Sequence, residues 1–136
     1  ILLKALADRL AEAFAERLHQ HVRTTLWAYA PGEQLTNEAL IKEEYRGIRP
    51  APGYPACPDH SLKPILFDLL NAPKNAGLTL TESFAMLPTA AVSGFYFGHP
   101  QAEYFGVACG GGGQLTYYAA RRCVDVETSR SWLRPN

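Results

Sequence analysis

The chain has no surplus of charge of either sign: 13 lysines and arginines stand against 13 aspartates and glutamates. Without a broad cationic field, nucleic acid and anionic membrane surfaces are excluded as main partners. No apolar run approaches the ~18 residues that a bilayer-spanning helix needs. No charged-then-apolar leader opens the chain. Cysteine is scarce: Cys57, Cys109 and Cys123 are widely spaced and match no CxxC metal or redox pattern. An odd count of that kind fits a reducing cytoplasm better than a disulfide framework. Methionine occurs once, and not at position 1. The chain opens at Ile1 already inside a helical pattern, which reads as a piece of something longer. The 136 residues, 47% of them hydrophobic, suffice for one domain with a packed core.

Proline, by contrast, is concentrated. Arg49 to Pro58 reads RPAPGYPACP, with four prolines in nine residues. Each fixes φ and removes a backbone N–H, and each pushes the preceding residue to extended geometry. A helix is impossible there and a central strand is disfavoured. The expectation is a stiff, extended loop with carbonyls that no local donor reaches. Gly53 permits a sharp turn or a close ligand approach. Arg49 offers a fork of donors for a carboxylate or phosphate. Tyr54 offers a flat ring with a polar tip. The loop reads equally as a small-molecule holder or as a turn joining two helices.

Around it the pattern is α+β, helices with a small antiparallel sheet. Leu2, Leu6, Leu10, Phe14, Leu18, Val22 and Leu26 recur every four residues and predict a long amphipathic helix. Asp8, Glu12, Glu16 and His19 lie on its opposite face, and Pro31-Gly32 end the region. Thr36 caps a predicted helix from Asn37 to about Tyr45. Asp59 or Ser61 caps the next, with Pro64 in its first turn and Ile65, Leu66, Leu69 and Leu70 as its buried side. A turn at 75–77 and a short strand around Leu78 and Leu80 follow. Ala90–Phe97 and Tyr104–Cys109 predict a hairpin closed by Gly98-His99-Pro100. Gln114–Cys123 predicts a helix, and Asp125 opens a last one through Trp132 and Leu133.

Several long strings in this order carry a resemblance: GIRPAPGYPACPDH (47–60), LTESFAMLP (80–88), VSGFYFGHP (92–100) and the terminal WLRPN. With these, nearly the whole chain resembles the activation domain of cobalamin-dependent methionine synthases, and corresponds to the C-terminal part of that domain. The resemblance implies a helical α+β domain with a small twisted antiparallel sheet that binds S-adenosylmethionine. It implies reductive methylation of oxidised cobalamin within a methyltransferase that makes methionine. It also implies cobalamin and zinc in other domains, a cobalamin-binding domain of the same chain as partner, and a flavodoxin-type or other flavoprotein electron donor.

The resemblance further implies that Arg49 holds the ligand carboxylate, a bidentate, charge-assisted pairing. Ala51 and Gly53 would contact the adenosine through the backbone, with Tyr54, Tyr104 and Glu12 beside the ligand. Asp8 and Glu43 would contact the cobalamin domain. By sequence alone, Asp8, Glu12 and Glu43 are ordinary surface acids. His19 and His60 have no partner at metal spacing, no residue is expected to ligate a metal, and no general base is expected. Cys57 reads as a small, buried or half-buried residue. A runner-up reading is a non-catalytic S-adenosylmethionine-binding or interaction module, or a reactivation factor for another corrinoid protein.

The run Gly110–Gly113 is the clearest departure from the family pattern. It lacks the Gly-Lys-Ser/Thr ending of phosphate-cradling loops. Four glycines weaken any strand, so the end of the Tyr104 strand is the expected casualty.

Overall fold

The computed structural model describes residues 1–107 and 111–133. Cys109, Gly110 and the last three residues of the WLRPN string lie outside the described residues. The chain divides into two units: Ile1–Pro50 with Thr89–Tyr104, and Ala51–Pro88 with the chain from Phe105 onward.

The first unit opens with helix α1, Leu2–His21, built from the Leu, Ala, Glu and Arg that favour helices. A π-helical turn, Val22–Leu26, ends it. Here Thr24 Oγ1 donates back to the Gln20 carbonyl at 2.9 Å, and Ala28 turns left-handed at φ +57°. A hydroxyl competing for the helix carbonyls loosens the ladder at this point. The expected apolar stripe does not form the core of this unit. Leu2, Leu3, Leu6, Leu10 and Phe14 are exposed, whereas His19 and Arg23 are fully buried. The face that packs is the polar one, carrying Glu16, His19 and Arg23 at helical spacing.

That core is made of rings and guanidinium groups. His19 stacks on Tyr96 with ring centroids 4.9 Å apart and meets Tyr45 edge-on at 5.0 Å. Arg23 lies 3.8 Å over the Tyr45 ring and makes two 2.7 Å hydrogen bonds to the Glu33 carboxylate. Thr36 caps α2, Asn37–Ile41, by accepting from Ala39 N at 3.3 Å. The helix stops at Ile41, short of the expected Tyr45, and Glu43 is already left-handed at φ +55°.

The expected hairpin is absent among the described residues. The 91–97 segment forms no strand of a hairpin, and it pairs instead with the start of the proline loop. Ile48 and Phe97 exchange two 3.0 Å hydrogen bonds, and Phe95 N donates to the Pro50 carbonyl at 2.9 Å. Pro50 has no N–H to return, so the pairing stays an isolated bridge rather than a strand. Gly47 (φ +91°) lets this crossing happen, since a methyl there would come within 2.5 Å of the Phe97 carbonyl oxygen. The turn expected at 98–100 lies at 99–102 instead, with Ala102 N donating to the His99 carbonyl at 3.0 Å, and it closes no hairpin among the described residues.

In the second unit Asp59, not Ser61, is the cap: its carboxylate accepts from Ser61 N at 2.7 Å. A 3-10 turn, His60–Leu62, leads into α3, Lys63–Leu70, with Pro64 in the first turn. Leu66 and Phe67 are buried, whereas Ile65, Leu69 and Leu70 are exposed, so the helix is rotated from the expected face. The predicted turn at 75–77 is the end of a short helix α4, Ala72–Ala76, closed by left-handed Gly77. Strands β1 (Thr79–Leu80) and β2 (Met86–Leu87) form the antiparallel sheet, with Thr79 opposite Leu87 and Leu80 opposite Met86.

Helix α5 spans Gly112–Arg122 and α6 spans Val126–Trp132. Asp125 caps α6 by accepting from Thr128 N at 2.8 Å. The described part of the glycine run therefore starts a helix. Gly111 is its cap residue, and its N–H donates to Gln114 Oε1 at 3.1 Å. Among the described residues, no helix is long and apolar enough to cross a membrane.

Candidate ligand-binding residues

Arg49 lies in the first unit at the end of the Tyr45–Pro50 segment. Its side chain is 24% exposed, and its guanidinium is gripped from three directions. Nη2 pairs with Glu16 Oε2 at 2.7 Å. Nη1 donates to the Tyr45 hydroxyl and, weakly, to His19 Nδ1 at 3.4 Å. A guanidinium only donates, so His19 Nδ1 is the acceptor. Its Nε2 then carries the proton and points to the Tyr29 hydroxyl at 3.3 Å. Burial, and then the cations Arg23 and Arg49, lower the His19 pKa to about 4, which keeps the ring neutral. Burial pushes the Tyr45 hydroxyl up to about 12. It therefore stays protonated beside the arginine.

Tyr104 belongs with Arg49: its hydroxyl accepts from the Arg49 backbone N–H at 2.8 Å. Glu12 does not. It is exposed on α1 and makes no ion pair or hydrogen bond among the described residues, while Glu16, one turn on, takes the arginine. Glu16 is the residue that sequence reading missed. Its only signal was the one-turn repeat of acids on the polar face of α1. Asp8 and Glu43 are exposed.

Ala51, Gly53 and Tyr54 lie in the second unit, where the loop folds back on itself. Tyr54 N donates to the Ala51 carbonyl at 3.2 Å, Gly53 N to the Cys57 carbonyl at 2.8 Å, and Cys57 N to the Tyr54 carbonyl at 2.8 Å. Val107 N reaches the Pro55 carbonyl at 2.8 Å. The expectation of an extended loop whose carbonyls lack local donors is thus corrected: the prolines force turns, and turns bring the few remaining N–H groups onto those carbonyls. Gly53 sits at φ +102°, and the Tyr54 ring is 63% exposed. Cys57 is half-buried, and burial raises its thiol pKa.

In the first unit a partly exposed, pre-oriented arginine suits a carboxylate, and in the second unit an exposed aromatic on a glycine turn suits a flat ring. Residues 1–123 match the family model described as vitamin B12 dependent methionine synthase, activation domain. The chain belongs to that family. A solved structure, the MetH reactivation domain bound to AdoHcy, is similar at 56% sequence identity with a TM-score of 0.93. The match covers 98% of this chain and 41% of that one. The α+β fold of this activation-domain chain, with its small antiparallel sheet, therefore matches the part of that reactivation domain that it covers.

Proposed function

We propose that this chain is the C-terminal part of an S-adenosylmethionine-binding activation domain and serves the reactivation of a cobalamin-dependent methionine synthase. The observation that carries the reading is Arg49: a guanidinium fixed by Glu16, Tyr45 and His19 yet still partly open. A pre-set fork binds a carboxylate without losing side-chain entropy at that moment. The similarity to a reactivation domain bound to AdoHcy supports the same ligand class.

In this reading Arg49 takes the carboxylate of S-adenosylmethionine. The backbone of Ala51 and Gly53, with the Tyr54 ring, takes the adenosine, and Tyr104 braces the Arg49 backbone beside it. Glu12 faces the ligand's positive charge, and Asp8 and Glu43 contact the cobalamin-binding domain. When bound, the ligand supplies a sulfonium methyl group for cobalamin. What these residues contribute is position, since methyl transfer requires the sulfonium to be held in line. The electron comes from a flavodoxin-type or other flavoprotein donor in the cytoplasm, and zinc and cobalamin are held by other domains. Calorimetric titration with S-adenosylmethionine tests the reading. Binding by the unaltered protein and its loss in Arg49→Ala support it, and equal binding by both overturns the carboxylate assignment.

A further inference from the structure

A buried cation stands behind the loop that carries Tyr54. Lys63 opens α3 and is only 5% exposed. Its ammonium donates to Nδ1 of His60 at 3.0 Å and to the Phe84 carbonyl at 3.0 Å. An ammonium has no acceptor, so Nδ1 bears the lone pair and the His60 proton sits on Nε2. The His60 ring lies flush against Gly53: a methyl group there would come within 2.2 Å of Cε1 and 2.8 Å of each ring nitrogen. Gly53 in turn donates to the Cys57 carbonyl, closing the turn from which Tyr54 projects.

Lysine is seldom fully buried unless paired. Among the described residues no carboxylate pairs with Lys63, and its partners are a neutral ring and a carbonyl. Burial accordingly lowers its pKa. Replacing Lys63 alone by an apolar side chain would leave His60 Nδ1 and the Phe84 carbonyl without their shared donor, which is destabilising. The ammonium holds the His60 ring, through Nδ1, against the Gly53 turn.

We propose that Lys63 is a positioning residue for ligand binding: it fixes the tautomer and plane of His60, and His60 shapes the Gly53 turn that presents Tyr54. The inference rests on the S-adenosylmethionine reading above. The test is calorimetric titration with S-adenosylmethionine of the unaltered protein, Lys63→Met and His60→Ala. Thermal melting of each is measured alongside, together with ¹⁵N ring shifts of His60. Lys63→Met, titrated well below its melting temperature, should bind about tenfold more weakly. The unaltered protein should show His60 as the Nε2–H tautomer, and Lys63→Met should lose that fixed pattern. His60→Ala should weaken binding similarly, and the double variant should be no weaker than His60→Ala alone. Unchanged binding by folded Lys63→Met, a loss of affinity fully accounted for by its unfolded fraction at the titration temperature, or an Nδ1–H tautomer in the unaltered protein would each overturn the proposal. Should Lys63→Met fail to fold, His60→Ala and the tautomer decide. Failure of the unaltered protein to bind at all overturns the ligand reading itself, a result distinct from all of these.

Discussion

Glu16 Oε2 lies 2.7 Å from Arg49 Nη2 and makes the carboxylate–guanidinium contact that joins α1 to the start of the proline loop. The pair is about three-quarters shielded from solvent, with Tyr45 and His19 completing the arginine's surroundings. It sets the guanidinium in place before any ligand arrives.

Three substitutions separate holding the ligand from holding the arginine. Arg49→Ala should weaken S-adenosylmethionine binding by about 2–4 kcal/mol, the usual loss when one side of a desolvated charge pair is removed. Glu16→Gln keeps an acceptor and should cost about 1 kcal/mol of affinity through a less well-fixed guanidinium. Glu12→Gln should weaken binding if that exposed glutamate meets the ligand's positive charge. Isothermal titration of all three checks this, and a Glu12→Gln affinity equal to wild type would return Glu12 to a solvated surface role.

His19 makes stability depend on pH. Its folded pKa of about 4 lies below its ordinary 6.5, so between these values the unfolded chain binds the extra proton. The stabilisation is complete above pH 6.5 and is lost as pH falls towards 4, by at most about 3 kcal/mol. The lowered pKa of His60 acts with the same sign. Urea denaturation at a series of pH values should show this slope, and His19→Gln should flatten it. An unchanged slope in that variant would rule His19 out as its source.

In the second unit, buried Asp59 accepts from the Tyr118 hydroxyl and from Ser61 N, with Arg122 Nε 4.0 Å away. Burial and then the hydrogen bond to Asp59 raise the Tyr118 pKa. Tyr118→Phe strips a buried carboxylate of one partner and should destabilise the fold by about 1–3 kcal/mol. Chemical denaturation measures it, and a change within about 0.5 kcal/mol, the range of an ordinary surface substitution, would show the bond to be dispensable.

The glycines at the start of α5 are a reserve of stability. A methyl at Gly112 or Gly113 would meet nothing within 4 Å. Both residues are helical, so Gly113→Ala should stabilise the protein by about 0.5–1 kcal/mol by restricting the unfolded chain. A lower melting temperature in Gly113→Ala would mean that the backbone there needs its freedom.

Much was legible in the sequence for local reasons. Thr36 and Asp125 sit where a side-chain oxygen must satisfy the first N–H groups of a helix. Pro64 sits where a missing N–H costs nothing, and the proline density forbade a helix from Arg49 to Pro58. Arg49, Gly53 and Tyr54 stood out because the loop left few other chemically able groups. What failed were inferences about pairing and facing. The Ala90–Phe97 segment had the composition of a strand, but which segment would offer it hydrogen bonds is not written in that composition. The partner proved to be Ile48–Pro50. Periodicity gave α1 two faces without saying which would be covered, and the polar one was. Rings and guanidinium groups can pack together by stacking and charge as closely as leucines pack by dispersion.

The sequence by itself determined α1, α3, α5 and α6, the Thr36 and Asp125 caps, the non-helical proline loop and the family, because each rests on contacts within a few residues or on strings long enough to be specific. Only the tertiary structure decided that Glu16 rather than Glu12 holds Arg49, that Tyr104 braces its backbone, and that Lys63 and His60 stand behind Gly53. These depend on side chains 33, 55 and 7–10 positions apart meeting within a few ångströms, and such meetings follow from how elements pack, which no local propensity encodes.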